Sequence, residues 1–553
     1  MRGGFTMADN SNSGFLRGDN SEIVAKTIGI PTMLFLIFSF CCGGAFGVED
    51  MICSGGPGLA VILLAVLPFL WALPQAMTAA ELGSAIPYTG GFYKWNQAAL
   101  GEFWGFTAGM GRVIAQYLEM PGYILLAAGY IEALIPMSSV TAYLIKAGII
   151  ILFTLINLRG IKEVGWIATV ISVCVLIAFA GITLIGFTHI TNTHPMSPAW
   201  NPDEGFLFSL GGCLAIGMWM YSGFTSVSTL AGDVKDKNVV WKALLIALPI
   251  IALVYILPTL AGLSSVGQWE SWADTINFGT VADLVGLAGV FMVVAVVANC
   301  SSFNTLVASL SRNVYAISMD NLGPKAFTKL SEKSHMPLIA IISIAVVSLL
   351  GCTLDFSTVI TIEVTFLMID YSLIWVSLIA LRVKHPEMPR PFKIPIKSTW
   401  GCVLFVAPSW AICIVALLVN GGDYYVGGMI GIAAIPIVYI FFKRRYGGLT
   451  KLYPDLHPMN PKTKLAYGDL TRFAKLFGIM TIISFVAVPF MPWYEGSWGQ
   501  EYYQDVYGPA GAFDFICHAI LVLAIIYAVI TIVLFLLAKK YDNKEMRPEG
   551  LEY

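Results

Sequence analysis

Charge is scarce in this sequence. Only 12% of its 553 residues are Asp, Glu, Lys or Arg, about half the share found in soluble domains. The formal net charge is −2, so no basic field is present to recruit nucleic acid. A Gly-x-x-x-x-Gly-Lys-Ser/Thr loop is missing, which argues against direct ATP drive. His-Glu-x-x-His is missing too: His189, His194, His335, His385, His457 and His518 are scattered and mostly in loops. No catalytic constellation, metal site or cofactor is expected, and a membrane-embedded enzyme stands only as a remote alternative. The ten cysteines lie within or at the edges of apolar runs, and no Cys-x-x-Cys spacing occurs. None sits well inside a long polar loop as an extracellular disulfide would. They read as small apolar packing residues. The polar start, Met1 to Glu22, leads into an apolar run too long for a signal-peptide core, so no cleavable leader is expected.

Apolar length is what the chain has in excess. Hydrophobic residues make up 57% of it, with a mean hydropathy of +0.76, which marks a polytopic, all-helical integral membrane protein. About twenty apolar residues are needed per span. Spans are predicted near 28–53, 57–82, 101–130, 139–157, 164–188, 206–232, 240–263, 283–311, 337–354, 357–382, 400–420, 424–443, 470–492 and 511–538. That makes about fourteen transmembrane helices. Tyr88 to Leu100 reads as a short amphipathic segment between the second and third.

Lys and Arg then set the orientation. They fill alternate loops, from Lys94 through Arg159 and Lys162 to the run Lys443–Lys475, whereas 131–138, 189–205, 264–282, 421–423 and 493–510 contain none. Lys146, early in the fourth span, is the one awkward case. The basic side is the cytoplasmic one, which places both termini in the cytoplasm and agrees with an even span count. A cell-membrane location is expected.

Two spans break their own pattern. The first carries Gly43-Gly44-Ala45-Phe46-Gly47 followed by Glu49 and Asp50. Each glycine weakens a helix by about 1 kcal/mol, and a carboxylate at membrane depth is expensive unless paired or hydrated. Irregular backbone there survives only where protein buries it or water lines it. The bland alternative is glycine-mediated helix packing, with the acids beyond the membrane edge. The sixth span carries Tyr221-Ser222-Gly223-Phe224-Thr225, where hydroxyl side chains compete for backbone hydrogen bonds. Breaks in the first and sixth spans are five spans apart, the pattern of an inverted-repeat transporter with its site at the bilayer midplane.

The combination of motifs resembles the amino acid–polyamine–organocation superfamily of permeases. The residues that carry the likeness are Gly43–Gly47, Ala80-Glu81-Leu82 with Pro87, Gly90-Gly91 and Trp95, Ser222-Gly223-Phe224 with Ser228–Asp233, Ser311-Arg312, Asp320–Pro324, and Arg390-Pro391-Phe392. It covers about residues 25–445 and implies a LeuT-like 5+5 inverted repeat with broken first and sixth helices. The implied organisation is a cytoplasmic N-terminal segment (1–25), a ten-helix transport core (26–382) and helices eleven and twelve (383–445). A basic cytoplasmic linker (446–469), two additional transmembrane helices (470–538) and a cytoplasmic tail (539–553) complete it. Phe46–Asp50, Asn157–Ile161 and Val164-Gly165-Trp166 look most similar to the polyamine-uptake branch.

The resemblance implies a secondary active transporter of a small organic amine or of amino acids, working by alternating access. Proton-coupled symport, precursor/amine exchange and a sodium co-ion are all open, as is a neutral amino acid permease. The oligomeric state is not readable. Expected substrate-binding residues are Gly43, Gly44, Phe46, Gly47, Glu49, Glu119, Tyr123, Tyr221, Ser222, Gly223, Phe224, Thr225 and Glu363. Free amides at a helix N-terminus suit a carboxylate, and carbonyls and acids suit an ammonium. Phe46, Tyr221 and Phe224 can cap a cation through their ring faces; ordinary packing is the alternative. Glu119 precedes Pro121-Gly122, expected to loosen the helix, and lies two turns from Arg112 on one face. It is a counter-ion, a proton carrier or a structural partner of Arg112. Glu363 and Asp370 form a similar pair, with Asp370 and Arg112 as coupling or gating residues. Glu81 is expected to anchor the cytoplasmic mouth. Many relatives carry an acid where this chain has Thr225, which leaves room for a neutral or monoamine substrate. Ser301 and Ser302 are the candidate sodium contacts.

Overall fold

The computed structural model describes residues 28–542 apart from 204, 237, 273–275, 355, 455–456 and 497. The expected N-terminal segment and the end of the tail lie outside the described residues. Helices occupy all fourteen expected positions. The first span is split into Ile30–Cys41 and Val48–Gly55, and the sixth into Phe206–Met220 and a 3-10 segment, Ser226–Asp233. The second span is Pro57–Ala85, and the third is the 33-residue helix Glu102–Leu134. Ser139–Arg159, Ile161–Thr188, Val239–Ser265, Ala288–Met319, Leu338–Gly351 and Phe356–Lys384 complete the first ten. Thr399–Val419, Gly422–Tyr446, Asp469–Glu495 and Ala512–Tyr541 follow as the eleventh to fourteenth. Among the described residues, ten helices are long and apolar enough to cross a membrane, and three of the others are shorter apolar helices.

Burial sorts these helices into a centre and a rim. The apolar stretch of the eighth span is 72% buried, that of the fourth only 11% and that of the fourteenth 17%. Small and hydroxyl residues fill the centre, as expected where helices must approach closely without a hydrophobic drive between them. Ser301, Ser302, Asn304, Thr305, Ser309 and Asn313 of the eighth span are all buried.

Pro121 does not loosen the third span as expected. The helix runs through it without interruption. A proline removes one hydrogen bond and crowds the preceding turn, and here the ninth span braces that point: a Cβ on Gly351 would sit 2.5 Å from Pro121 Cγ.

The first and sixth spans lie side by side and antiparallel. Gly55 faces Ser209 and Cys213, Gly217 faces Met51, and Ile28 bridges Val234 at the far end. The predicted short segment forms a helix, Phe92–Leu100. It is held to the end of the eighth span by Asp320, which accepts from Tyr93 and Lys94 at 2.6 Å and from Gln97 at 2.8 Å.

Two further buried ion pairs close the Lys/Arg-rich side. Glu81 of the second span accepts from Arg382 at 2.8 and 2.5 Å and from the Ile394 amide at 2.8 Å, and Arg390 lies 3.2 Å away. Glu81 thus ties the second span to the tenth and to the segment after it. Glu102, at the start of the third span, pairs with the fully buried Lys443 at 2.5 Å and accepts from the Leu449 amide at 2.9 Å. Removing one partner of such a pair costs about 3–5 kcal/mol because the other charge stays buried. Lys443→Met should therefore lower the melting temperature of the purified protein, and adding Glu102→Gln should recover most of the loss. Identical melting of the single and double variants would contradict this.

Candidate functional site

The first break begins where the Cys42 and Gly43 amides both reach the Phe38 carbonyl, at 2.9 and 3.0 Å, and close the first half-helix. Gly43 then turns at φ +57°, a left-handed conformation that a side chain would strain. The second half-helix starts at Val48, and its positive end is already met by an internal anion: Glu49 Oε2 accepts from the Gly47 amide at 3.0 Å. Tyr130 reaches the other oxygen at 3.3 Å.

The second break is pressed against the first. Gly223 has φ +101°, and a Cβ there would sit 2.7 Å from the Phe40 carbonyl oxygen. Any other residue would push the two spans apart. Tyr255 of the seventh span joins both: its hydroxyl lies 2.7 Å from the Cys41 carbonyl and 2.8 Å from the Met220 carbonyl. Those carbonyls end the two half-helices. Tyr371 of the tenth span accepts from the Gly223 amide at 2.9 Å.

Charged side chains surround the paired breaks. Arg112, 1% exposed, bonds Asp370 at 3.1 Å, donates to Thr225, and lies over the Tyr371 ring at 4.9 Å from its centroid. The structure thus corrects the Arg112–Glu119 pairing drawn from helical spacing. Residues seven apart share a face, but Asp370 brings its carboxylate directly to the guanidinium from the tenth span. Glu119 instead accepts from Tyr123, one turn on, at 2.9 Å. Glu363 and Asp370 share the tenth span, and Glu363 lies within electrostatic reach of Glu119, Arg112 and Tyr123. Glu363 is 1% exposed, and its Oε2 has no hydrogen-bond partner among the described residues.

The expected aromatics are packed into protein. Phe46 meets Phe179, Tyr130 and Phe291 at 5.1, 5.5 and 6.1 Å between ring centroids. Tyr221 stands edge-on to Tyr255 at 5.0 Å and donates to the Leu64 carbonyl at 2.7 Å. Phe224 is fully buried, Ser222 bonds the Met218 carbonyl at 2.5 Å, and Gly44 closes on the rings of Phe46 and Phe179.

Rings not singled out in the sequence stand beside Tyr123, the hydrogen-bond partner of Glu119. Trp219 lies 5.8 Å from Tyr123 and 5.5 Å from Phe356, and a Cβ on Gly47 would be 3.2 Å from the Trp219 ring. The one available signal was the position of Trp219, two residues before the break. Ser301 is joined to Ser39 at 3.3 Å and Ser39 to Thr305 at 3.0 Å, and Ser302 abuts Gly43.

Two helices interrupted five spans apart, pressed together, with ionisable groups buried around them, define an inverted-repeat membrane transporter. The chain belongs to the amino acid permease family, whose profile matches residues 28–442. A probable polyamine transporter of Arabidopsis thaliana is 30% identical over 408 residues, 71% of this chain and 79% of that one. The polyamine transporter PUT1 of Oryza sativa subsp. japonica is 31% identical over 413 residues, 72% of this chain and 74% of that one. In fold, the chain matches MhsT in complex with L-phenylalanine at a TM-score of 0.51 and 15% identity, over 72% of this chain and 98% of the other. A manganese transporter of Eremococcus coleocola matches at 0.52 and 14%, over 79% and 98%. The family is one of permeases, so the protein is a membrane-embedded transporter of a small molecule and not an enzyme.

Tyr255→Phe removes the single donor that two buried carbonyls share, a loss of about 1–3 kcal/mol. The variant should melt lower, and amide exchange should quicken at 41–47 and 220–225. Unchanged exchange at both breaks would show the hydroxyl to be dispensable.

Proposed function

We propose that this protein is a secondary active transporter of a small organic amine of the polyamine class, working by alternating access and driven by proton symport or by exchange for a precursor. Its site in this reading is the cell membrane, and the distribution of Lys and Arg supports cytoplasmic termini.

The observation that carries the reading is the balance of charge around the breaks. Arg112 is matched by Asp370. Glu119 and Glu363 are further buried acids, Glu119 bonded to Tyr123, whose ring meets Trp219. Arg112, already bonded to Asp370, lies within electrostatic reach of both acids, so three buried carboxylates share one guanidinium. Buried charge is expensive unless matched, and an ammonium group beside them relieves it. Ring faces add cation–π attraction of about 0.5–2 kcal/mol. The alternative, a neutral amino acid, needs a free anion site for its carboxylate. The helix N-terminus at Val48 would be that site, but Glu49 already engages it. This favours an amine without a carboxylate.

Melting of the purified protein should rise on adding putrescine, spermidine or agmatine, because a ligand that binds the native state stabilises it by mass action. Glu119→Gln and Glu363→Gln should each weaken that binding by about 2 kcal/mol or more. A shift with neutral amino acids alone would overturn the amine reading. An unchanged shift in Glu119→Gln together with lost transport would move Glu119 from counter-ion to proton carrier.

A further inference from the structure

The ends of the twelfth, thirteenth and fourteenth spans on the Lys/Arg-rich side carry charge that the transport site does not use. Residues 443–475 contain eight basic residues and only two acids, Asp455 and Asp469, the former outside the described residues. Two of the eight are matched internally, Lys443 by Glu102 at 2.5 Å and Arg472 by Asp469 at 2.8 Å. The other six, Arg444, Arg445, Lys451, Lys462, Lys464 and Lys475, are exposed. Lys539 and Lys540, also exposed, join them from the fourteenth span. Nearby Asp542 is already engaged by the backbone amide and hydroxyl of Thr471, both at 2.8 Å.

Placement separates this group from the other basic loops. Arg444 and Arg445 fall in the last turn of the twelfth span, Lys475 in the second turn of the thirteenth, and Lys539 and Lys540 in the last turn of the fourteenth. Side chains of this length at a span end extend into the headgroup layer. Half-buried Tyr446, Tyr467 and Tyr541 stand at the same level, as aromatic residues do at a membrane interface. The fourteenth span is largely uncovered by protein, so its basic end borders lipid. In the loop after the tenth span, by contrast, Arg382 and Arg390 are drawn inward to Glu81.

We infer that these three span ends form a docking surface for anionic phospholipid headgroups. Clustered Lys and Arg beside a transmembrane helix attract such lipids through the negative potential of their leaflet. The linker ties that surface to the transport core: Glu102 holds Lys443 and the Leu449 amide, and the Gly448 amide donates to the Asn321 carbonyl at 3.2 Å.

The test uses the full chain in detergent, with phosphatidylserine, phosphatidylcholine or inorganic phosphate added, read by melting temperature and by bound lipid in native mass spectrometry. Phosphatidylserine raises melting and stays bound; the other two, at equal concentration, do not. Neutralising Arg444, Arg445, Lys462, Lys464 and Lys475 to Gln together weakens phosphatidylserine binding on the order of a thousandfold, at about fivefold per charge. Lys325→Gln, Lys329→Gln and Lys333→Gln together leave it unchanged. Equal effects of phosphatidylserine and phosphatidylcholine overturn the inference, as does full reproduction of the shift by inorganic phosphate. Retained affinity in the five-site variant does the same. A salt series on the native protein needs no variant to fold: exposed charges are screened by added salt, and salt-independent binding would refute the site.

Discussion

A guanidinium buried at membrane depth must find its anion inside the protein, and the position of Arg112 sets the arrangement around it. Asp370 approaches from the tenth span, Thr225 from the sixth, and the Tyr371 ring covers one face. One side chain of the third span thereby ties down the tenth span and the second break. Tyr371 extends the tie, because the hydroxyl beside Arg112 also receives the Gly223 amide. Glu119 and Glu363 lie two helical turns from that pair, on the third and tenth spans, and are buried as well. The fixed pair and these acids answer to one constraint: buried charge is tolerated only when matched.

The spans were legible because membrane crossing demands about twenty apolar residues, and a composition so poor in charge makes those runs stand out. Both breaks were legible for a related reason. Glycine and hydroxyl clusters inside a run of Ile, Leu and Phe contradict the surrounding helix. Arg112, Glu119, Glu363 and Asp370 could be picked out as ionisable residues in apolar runs, but their partners could not. Arg112 and Asp370 are 258 positions apart, and helical spacing speaks only of neighbours on one helix. Trp219, Phe356, Tyr255 and Tyr371 were hidden by their own chemistry, since aromatic residues are common along any membrane helix. Pro121 misled because its local tendency was overridden by packing against the ninth span.

The last two spans are no loose appendage. They lie beyond the matched region that ends at residue 442, yet the segment leading to them begins with Lys443 bound to the first turn of the third span. Asp469, at the start of the thirteenth span, accepts from Tyr439 of the twelfth at 2.8 Å. At the opposite end, Glu495 accepts from the Gly422 amide at 2.6 Å and from Tyr503 at 2.9 Å. The hairpin is thus secured to the twelfth span on both sides of the bilayer.

The hydroxyl of Tyr255 carries one proton and faces two carbonyls at nearly equal distance. A single O–H cannot serve both fully at once. At any instant one half-helix end is held firmly and the other less so, and the proton can pass its allegiance between them with a small rotation about the C–O bond. The two breaks therefore share one hydrogen bond between them. Neither carbonyl lies farther than 2.8 Å from that donor.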